Sequence, residues 1–103
     1  MYAVTISMRA QDEEGASILK KASLEVLAPS RNEPACIFFD VLFDDDDPLL
    51  VRFYEAYENE DGYKAHFETE HLKAWQAQCV PVLDRSSVRM PESVSDHGEL
   101  IAP

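Results

Sequence analysis

Cysteine is scarce in this chain: Cys36 and Cys79 are the only two, and no Cys-x-x-Cys pair occurs. Thiols so placed point to a reducing compartment, where a buried cysteine acts as a small hydrophobe. Neither has a histidine near it in sequence, so a cysteine nucleophile would lack the base that activates it. Basic residues are also few, nine Lys and Arg against twenty Asp and Glu, for a net charge of −11. An acidic surface repels phosphate backbones and anionic lipid, which argues against nucleic acid and against a membrane as partners. No apolar run approaches the length of a membrane span, and the first residues, MYAVTISMRA, lack the basic-then-apolar pattern of a leader. A cytoplasmic protein is the expectation. The run Asp44 to Asp47 lacks the D-x-[DN]-x-[DN]-G spacing of a calcium loop and reads as a solvated hairpin turn. There is no internal repeat.

What the chain does contain suffices for one domain with a modest core, in 103 residues that are 46% hydrophobic. Folding at this size buries roughly 65% of the extended surface, so a second subunit would add stability. Residues 2–9 alternate, with Val4, Ile6 and Met8 opposite Ala3, Thr5 and Ser7, and predict a strand. Asp12 is placed to cap a helix through about Leu27, with Glu13 and Glu14 at its positive end. Ile18, Leu19, Ala22 and Val26 form the apolar stripe of that helix, and Pro29 with the polar run SRNEP is expected to end it.

CIFFDVLF (36–43) and LLVRFYEAYE (49–58) flank the aspartate turn as a hairpin. In its first strand Ile37, Phe39, Val41 and Phe43 share one face, while Phe38 and Leu42 lie on the other around Asp40. Two apolar faces require two covers: helices on one, a second subunit on the other. Asn59 and Thr69 each cap a helix, the second with Leu72, Trp75, Cys79 and Val82 on its buried side until Pro81 stops it. SSVRM (86–90) reads as a last strand. The domain is therefore expected over residues 1–90, with 91–103 a tail either loose or laid over the partner subunit. The order β-α-β-β-α-β is the split βαβ, ferredoxin-like arrangement: a four-stranded antiparallel sheet with helices on one face.

Chemistry-bearing residues concentrate in YKAHFETEHLKAW (63–75). Five residues apart on one continuous helix, His66 and His71 would lie about 140° apart, which is wrong for paired metal ligands. With no third ligand evident, no metal is expected. The Thr69 cap splits the stretch instead. His66 then shares the inner face of the first helix with Tyr63 and Phe67, where it is either a hydrogen-bonded core residue or functional. His71 falls in the first turn of the second helix, where the dipole favours a neutral, proton-accepting ring. Glu55 lies on one strand face between Phe53 and Tyr57, so its carboxylate needs a partner or carries a raised pKa. An ion pair to Arg52 or Arg89 is the structural alternative. Trp75 is read as core or as a stacking platform.

The run EPACIFFDVLFDDDDPLLVRFYEAYENEDGYKAHFETEHLKAW (33–75) resembles the core of the antibiotic biosynthesis monooxygenase family. The pattern is E-P-G-C, strand, aspartate-rich turn, strand with Y-E, short helix, then A-H-x-x-x-x-H. Ala35 stands where the family usually has glycine. The resemblance implies a dimeric α/β barrel, a ligand cavity between sheet and helices, and members that work without metal or organic cofactor. Within the family are oxygenases of quinols and anthrones, haem degraders and an isomerase. The haem-degrading branch relies on an asparagine in the first strand, and residues 1–9 contain none.

The expected activity is a cofactor-independent monooxygenase acting on a quinol, phenol or similar small molecule, with dioxygen as co-substrate and a homodimer as the working form. His71 would be the base, His66 would orient or donate to the oxyanion, and Glu55 would hold one imidazole. Trp75, Tyr57, Phe53, Tyr63 and Phe67 would line the substrate pocket. An isomerase or tautomerase of a hydroxy-ketone, or a non-catalytic dimeric binding protein, are the alternatives. A vacant cavity touching His66, His71 and Glu55 together would separate enzyme from binding protein.

Overall fold

Alternation at the start of the chain builds the central strand of the sheet. β1 (Tyr2–Ala10) buries Val4, Ile6 and Met8 against the helices and pairs antiparallel on both sides. Among the residues that the computed structural model describes, 1–96, the sheet order is β2-β3-β1-β4. β2 spans Cys36–Phe43, β3 Leu50–Tyr57 and β4 Leu83–Asp96. The helices are α1 (Glu13–Glu25), α2 (Leu27–Arg31), α3 (Glu60–His66) and α4 (Glu70–Cys79), followed by one 3₁₀ turn, Val80–Val82. This is the expected ferredoxin-like split βαβ, with an antiparallel sheet. The part of the tail beyond Asp96 lies outside the described residues.

Caps behave as the sequence predicts. Asp12 Oδ1 accepts from Gly15 N at 2.8 Å, Asn59 Oδ1 from Gly62 N at 3.0 Å, and Thr69 Oγ1 from Leu72 N at 3.3 Å. Each satisfies one of the donors a helix start leaves open. Leu19, Ala22 and Val26 are buried, each large apolar side chain so placed contributing about 1.5–3 kcal/mol.

Three details differ from the sequence reading. Pro29 does not end the helical region: it sits in the first turn of α2, where its missing N–H costs nothing. Ile18 is not core but 39% exposed, because the buried face of α1 turns toward Ala16 and Ser23 instead. Ile37 does not share a face with Phe39. A bulge between Cys36 and Phe38 inserts it as an extra residue and leaves it 44% exposed, while Phe39 is fully buried opposite Glu55.

β4 is longer than SSVRM and includes residues 91–96, of which Ser93 to Asp96 pair with Tyr2 to Thr5 of β1. A register shift between Thr5 and Ser7 accommodates it. The acidic hairpin turn is only partly solvated. Asp44 accepts from Asp46 N and Asp47 N and pairs with Arg52 at 2.9 Å, while Asp47 pairs with Arg9 at 2.7 Å. These partners hold both carboxyls below the usual carboxylate range.

Ala35 fits because of what faces it. A Cβ added at Gly62 would stand 2.6 Å from the Ala35 Cβ, so the methyl of one residue occupies the space the other lacks. No described non-glycine residue has positive φ, so the position before β2 needs no glycine conformation here. Gly62→Ala should therefore push α3 off the loop before β2 and cost about 1–3 kcal/mol, as overpacking does. Denaturant unfolding would show it as a lower midpoint at unchanged slope.

Candidate active site

The site is assembled where α3 ends and α4 begins. Thr69 sits between them, its hydroxyl donating to the His66 carbonyl at 2.7 Å while capping α4. That double use fixes the angle between the helices and turns both imidazoles toward one point. His66 Nδ1 and His71 Nε2 each stand 2.6 Å from the same atom, Glu33 Oε2. Such separations are those of charge-assisted hydrogen bonds. The rings themselves lie 5.9 Å apart, centroid to centroid.

Glu33 belongs to the loop between α2 and β2, and that loop is pinned at both ends. Arg31 Nε donates to the Phe39 carbonyl at 2.9 Å and Arg31 Nη2 pairs with Asp40. Cys36 N donates to the Glu33 carbonyl at 3.1 Å, and Glu58 N to the Ala35 carbonyl at 2.9 Å. Pro34 also restricts Glu33 to extended backbone. Sequence reasoning missed Glu33 as a site residue, dismissing it within the helix-ending run SRNEP. The available signal was its place as the first letter of the E-P-x-C motif.

His66 is buried among Phe39, Tyr57 and Phe67, with ring centroids 5.5, 5.7 and 5.9 Å away. Burial pushes its pKa down, the Glu33 hydrogen bond and charge push it up, and burial is the larger effect. Neutral His66 is thus the resting form near neutrality. His71 is half-buried.

Glu55 is not the residue that holds an imidazole. Its Oε1 accepts from the Tyr57 hydroxyl at 2.8 Å, and its Oε2 has no partner although it is buried. Neither candidate arginine reaches it: Arg52 pairs with Asp44, and Arg89 donates to the Ser86 and Val88 carbonyls. Desolvation raises the Glu55 pKa to about 7, with the Tyr57 hydrogen bond opposing and the Glu33 charge assisting.

Between sheet and helices lies a small, partly open cavity of about 10 Å³, lined by Glu55 and His66 with Phe53, Phe67, Leu72 and Trp75. It has room for one water. Of the expected lining, Tyr57 stands behind Glu55 and Tyr63 packs on Tyr57 and Phe67, so neither reaches the cavity. Trp75 is anchored by its indole N–H, which donates to Ser23 Oγ at 3.0 Å. His71 lines a different, open groove of about 170 Å³ with Glu25, Ala74 and Gln78. His66 and Glu55 thus line one cavity and His71 another, with Trp75 bordering both.

The spacing argument against metal needs one correction, for a third donor exists. Glu33, His66 and His71 bring one ligand atom each to within 4.8 Å of one another. A zinc ion, with bonds of about 2.0–2.2 Å, would have to push the carboxylate off both rings.

A ferredoxin-like sheet carrying a buried carboxylate–imidazole cluster beside a small aromatic cavity defines the class of this α+β protein. The sequence matches the antibiotic biosynthesis monooxygenase family over residues 1–78, and the chain belongs to that family. A Nitrosomonas europaea protein assigned as an antibiotic biosynthesis monooxygenase is similar at 27% identity, with 82% of this chain and 87% of that one covered and a TM-score of 0.77. The solved structure of another antibiotic biosynthesis monooxygenase is 21% identical, covers 94% and 98%, and has a TM-score of 0.81. A Pseudomonas aeruginosa protein is 21% identical over 97% and 94%, with a TM-score of 0.78. None of the curated proteins matches the sequence. No described helix is long and apolar enough to cross a membrane.

The Glu55 shift has a stability consequence with a definite sign. Its folded pKa, about 7, lies above the ordinary 4.5, so the folded state holds the proton more tightly. Wild type should lose stability from this group as pH rises from about 4.5 through about 7. Glu55→Gln cannot ionise, so its stability relative to wild type should rise across that window. Parallel thermal melts would check this, and the difference isolates Glu55 because His66 titrates in both proteins.

Proposed function

We propose that this protein is a cofactor-independent monooxygenase of a quinol, phenol or similarly activated small molecule. The observation that carries the reading is a neutral buried imidazole and a carboxyl near pKa 7 lining one aromatic cavity. His66 takes a proton from the substrate, and Phe53, Phe67 and Trp75 exclude water from the resulting anion. That anion gives its electrons to dioxygen and forms a C–O bond, leaving a hydroperoxide. The His66 proton passes to the peroxide, which frees the base again. Elimination then breaks the remaining C–H bond, whose proton goes to His66, and the O–O bond. Overall the CH₂ of the substrate, or of the keto form of a phenol, and O₂ become C=O and H₂O, the substrate supplying every electron. Glu55, carrying its proton for much of the time at neutral pH, protonates the departing hydroxide.

His66 rather than His71 is assigned the base because His66 lines the cavity and His71 lines the outer groove. The same acid–base pair supports a second reading, an isomerase. A proton removed by His66 and returned by Glu55 at another carbon would need no oxygen. Oxygen uptake with a panel of quinols and anthrones decides between them. The monooxygenase consumes oxygen in proportion to product, whereas the isomerase consumes none and exchanges solvent deuterium into its substrate. His66→Ala should lower turnover by about 10²–10⁴, the range for a general base. His71→Ala should cost less. Equal loss in both, with no change in folding, would refute the assignment.

A homodimer is proposed as the working form. Its support is the sheet face away from the helices, where Phe38 and Tyr54 stack edge-on at 4.8 Å and Leu42 and Tyr54 are 48% and 44% exposed. Sedimentation should give twice the 11.7 kDa chain mass, and Tyr54→Arg should return it to the monomer value, because charge on that face adds desolvation cost to association.

A further inference from the structure

Glu33 offers one oxygen to two rings, and the chemistry of that oxygen restricts both. An ionised carboxylate only accepts hydrogen bonds. Each imidazole nitrogen 2.6 Å from Oε2 must then carry a proton. We infer that Glu33 is a positioning residue for the reaction: its shared Oε2 locks His66 as the Nδ1–H tautomer and His71 as the Nε2–H form, leaving the His66 lone pair on Nε2. This rests on the reading of His66 as the base, and it names the group that makes His66 one. In the opposite tautomer Nε2 would carry hydrogen and could not accept a proton from a ligand.

Glu33 acts again once the proton has moved. His66 then becomes an imidazolium surrounded by Phe39, Tyr57 and Phe67, rings that hydrate a cation far less well than water does. The carboxylate 2.6 Å from Nδ1 supplies the compensating charge. An acid behind the histidine of a hydrolytic triad does the same for its imidazolium. The second donor has its own effect. Because His71 also donates to Oε2, that oxygen cannot swing away from His66 Nδ1 without giving up a second hydrogen bond. Burial of the Glu33 side chain, 10% exposed, keeps water from substituting for either ring. The loop clamps around Arg31 and Cys36 hold the oxygen on that line.

The first test needs no substrate. Long-range ¹H–¹⁵N spectra of ¹⁵N-histidine-labelled protein, at a pH where His66 is neutral, should show His66 Nδ1 as protonated and Nε2 as the bare nitrogen. His71 should show a protonated Nε2. A bare Nδ1 on His66, or averaging between tautomers, overturns the proposal, and so does stoichiometric zinc uptake that Glu33→Gln abolishes. Glu33→Gln keeps the shape without the charge. It should mix the His66 tautomers and lower kcat about 10²-fold, with KM changed by no more than about twofold. A variant that melts earlier but keeps wild-type tautomers and kcat in its folded fraction would make Glu33 structural only. If no panel substrate is turned over, the proposed function fails while the spectra still decide the tautomer.

Discussion

One oxygen atom, Glu33 Oε2, is where three separate segments meet: the loop before β2, the end of α3 and the start of α4. A carboxylate buried to this degree is costly unless its charge is matched by donors. The two imidazoles provide them, and the rest of the local structure serves to deliver those rings. Thr69 sets the helix angle, Gly62 admits Ala35 so that α3 can approach the loop, and Arg31 ties the loop to β2. A change at any one of these would move a ring or the carboxylate off the shared line, and a buried carboxylate that loses its donors meets the full desolvation penalty.

A second carboxyl a short way off has the opposite environment. Glu33 has two strong donors, whereas Glu55 has one phenol and a bare oxygen. Environments that push two carboxyls apart assign them different roles. Glu33, with one oxygen 2.6 Å from both ring nitrogens, is suited to orient the two imidazoles. Glu55, raised to about 7, is suited to exchange a proton near neutral pH. The Tyr57 hydroxyl serves this division by occupying Oε1, so that Oε2 is the atom left for a ligand.

Much of the fold was legible because it follows from short-range rules. Alternation placed β1, the caps at Asp12, Asn59 and Thr69 placed the helices, and the turn run placed the hairpin. The misreadings each involve a non-local cause. Ile37 moved off its face because a bulge inserts a residue, which no period-two pattern reports. β4 runs past SSVRM because pairing with β1, not its own apolar content, holds residues 93–96. The site was half legible. His66 and Glu55 could be found from the faces they share with aromatics. Glu33 could be found only through its place at the head of the E-P-x-C motif, since the physical role of a polar residue in a polar loop appears when tertiary folding brings two imidazoles to it.

The small volume of the cavity bears on what can enter. Of its lining residues, Phe67, Gln76 and Met90 are the ones with partial exposure. Met90 is 40% exposed and unbranched, so it can swing aside at little cost, while Trp75 is held by Ser23. Under the proposed function a ligand would enter past Met90 and make room by moving flexible groups, since the cavity itself holds about one water. Charge then sorts the candidates. A chain of net charge −11 repels anions at its surface, and the unpaired Glu55 oxygen repels them again inside. A neutral phenol or quinol meets neither barrier. On the proposed chemistry it becomes an anion only after docking, where His66 already holds the proton it has lost and Glu33 balances the charge on that ring.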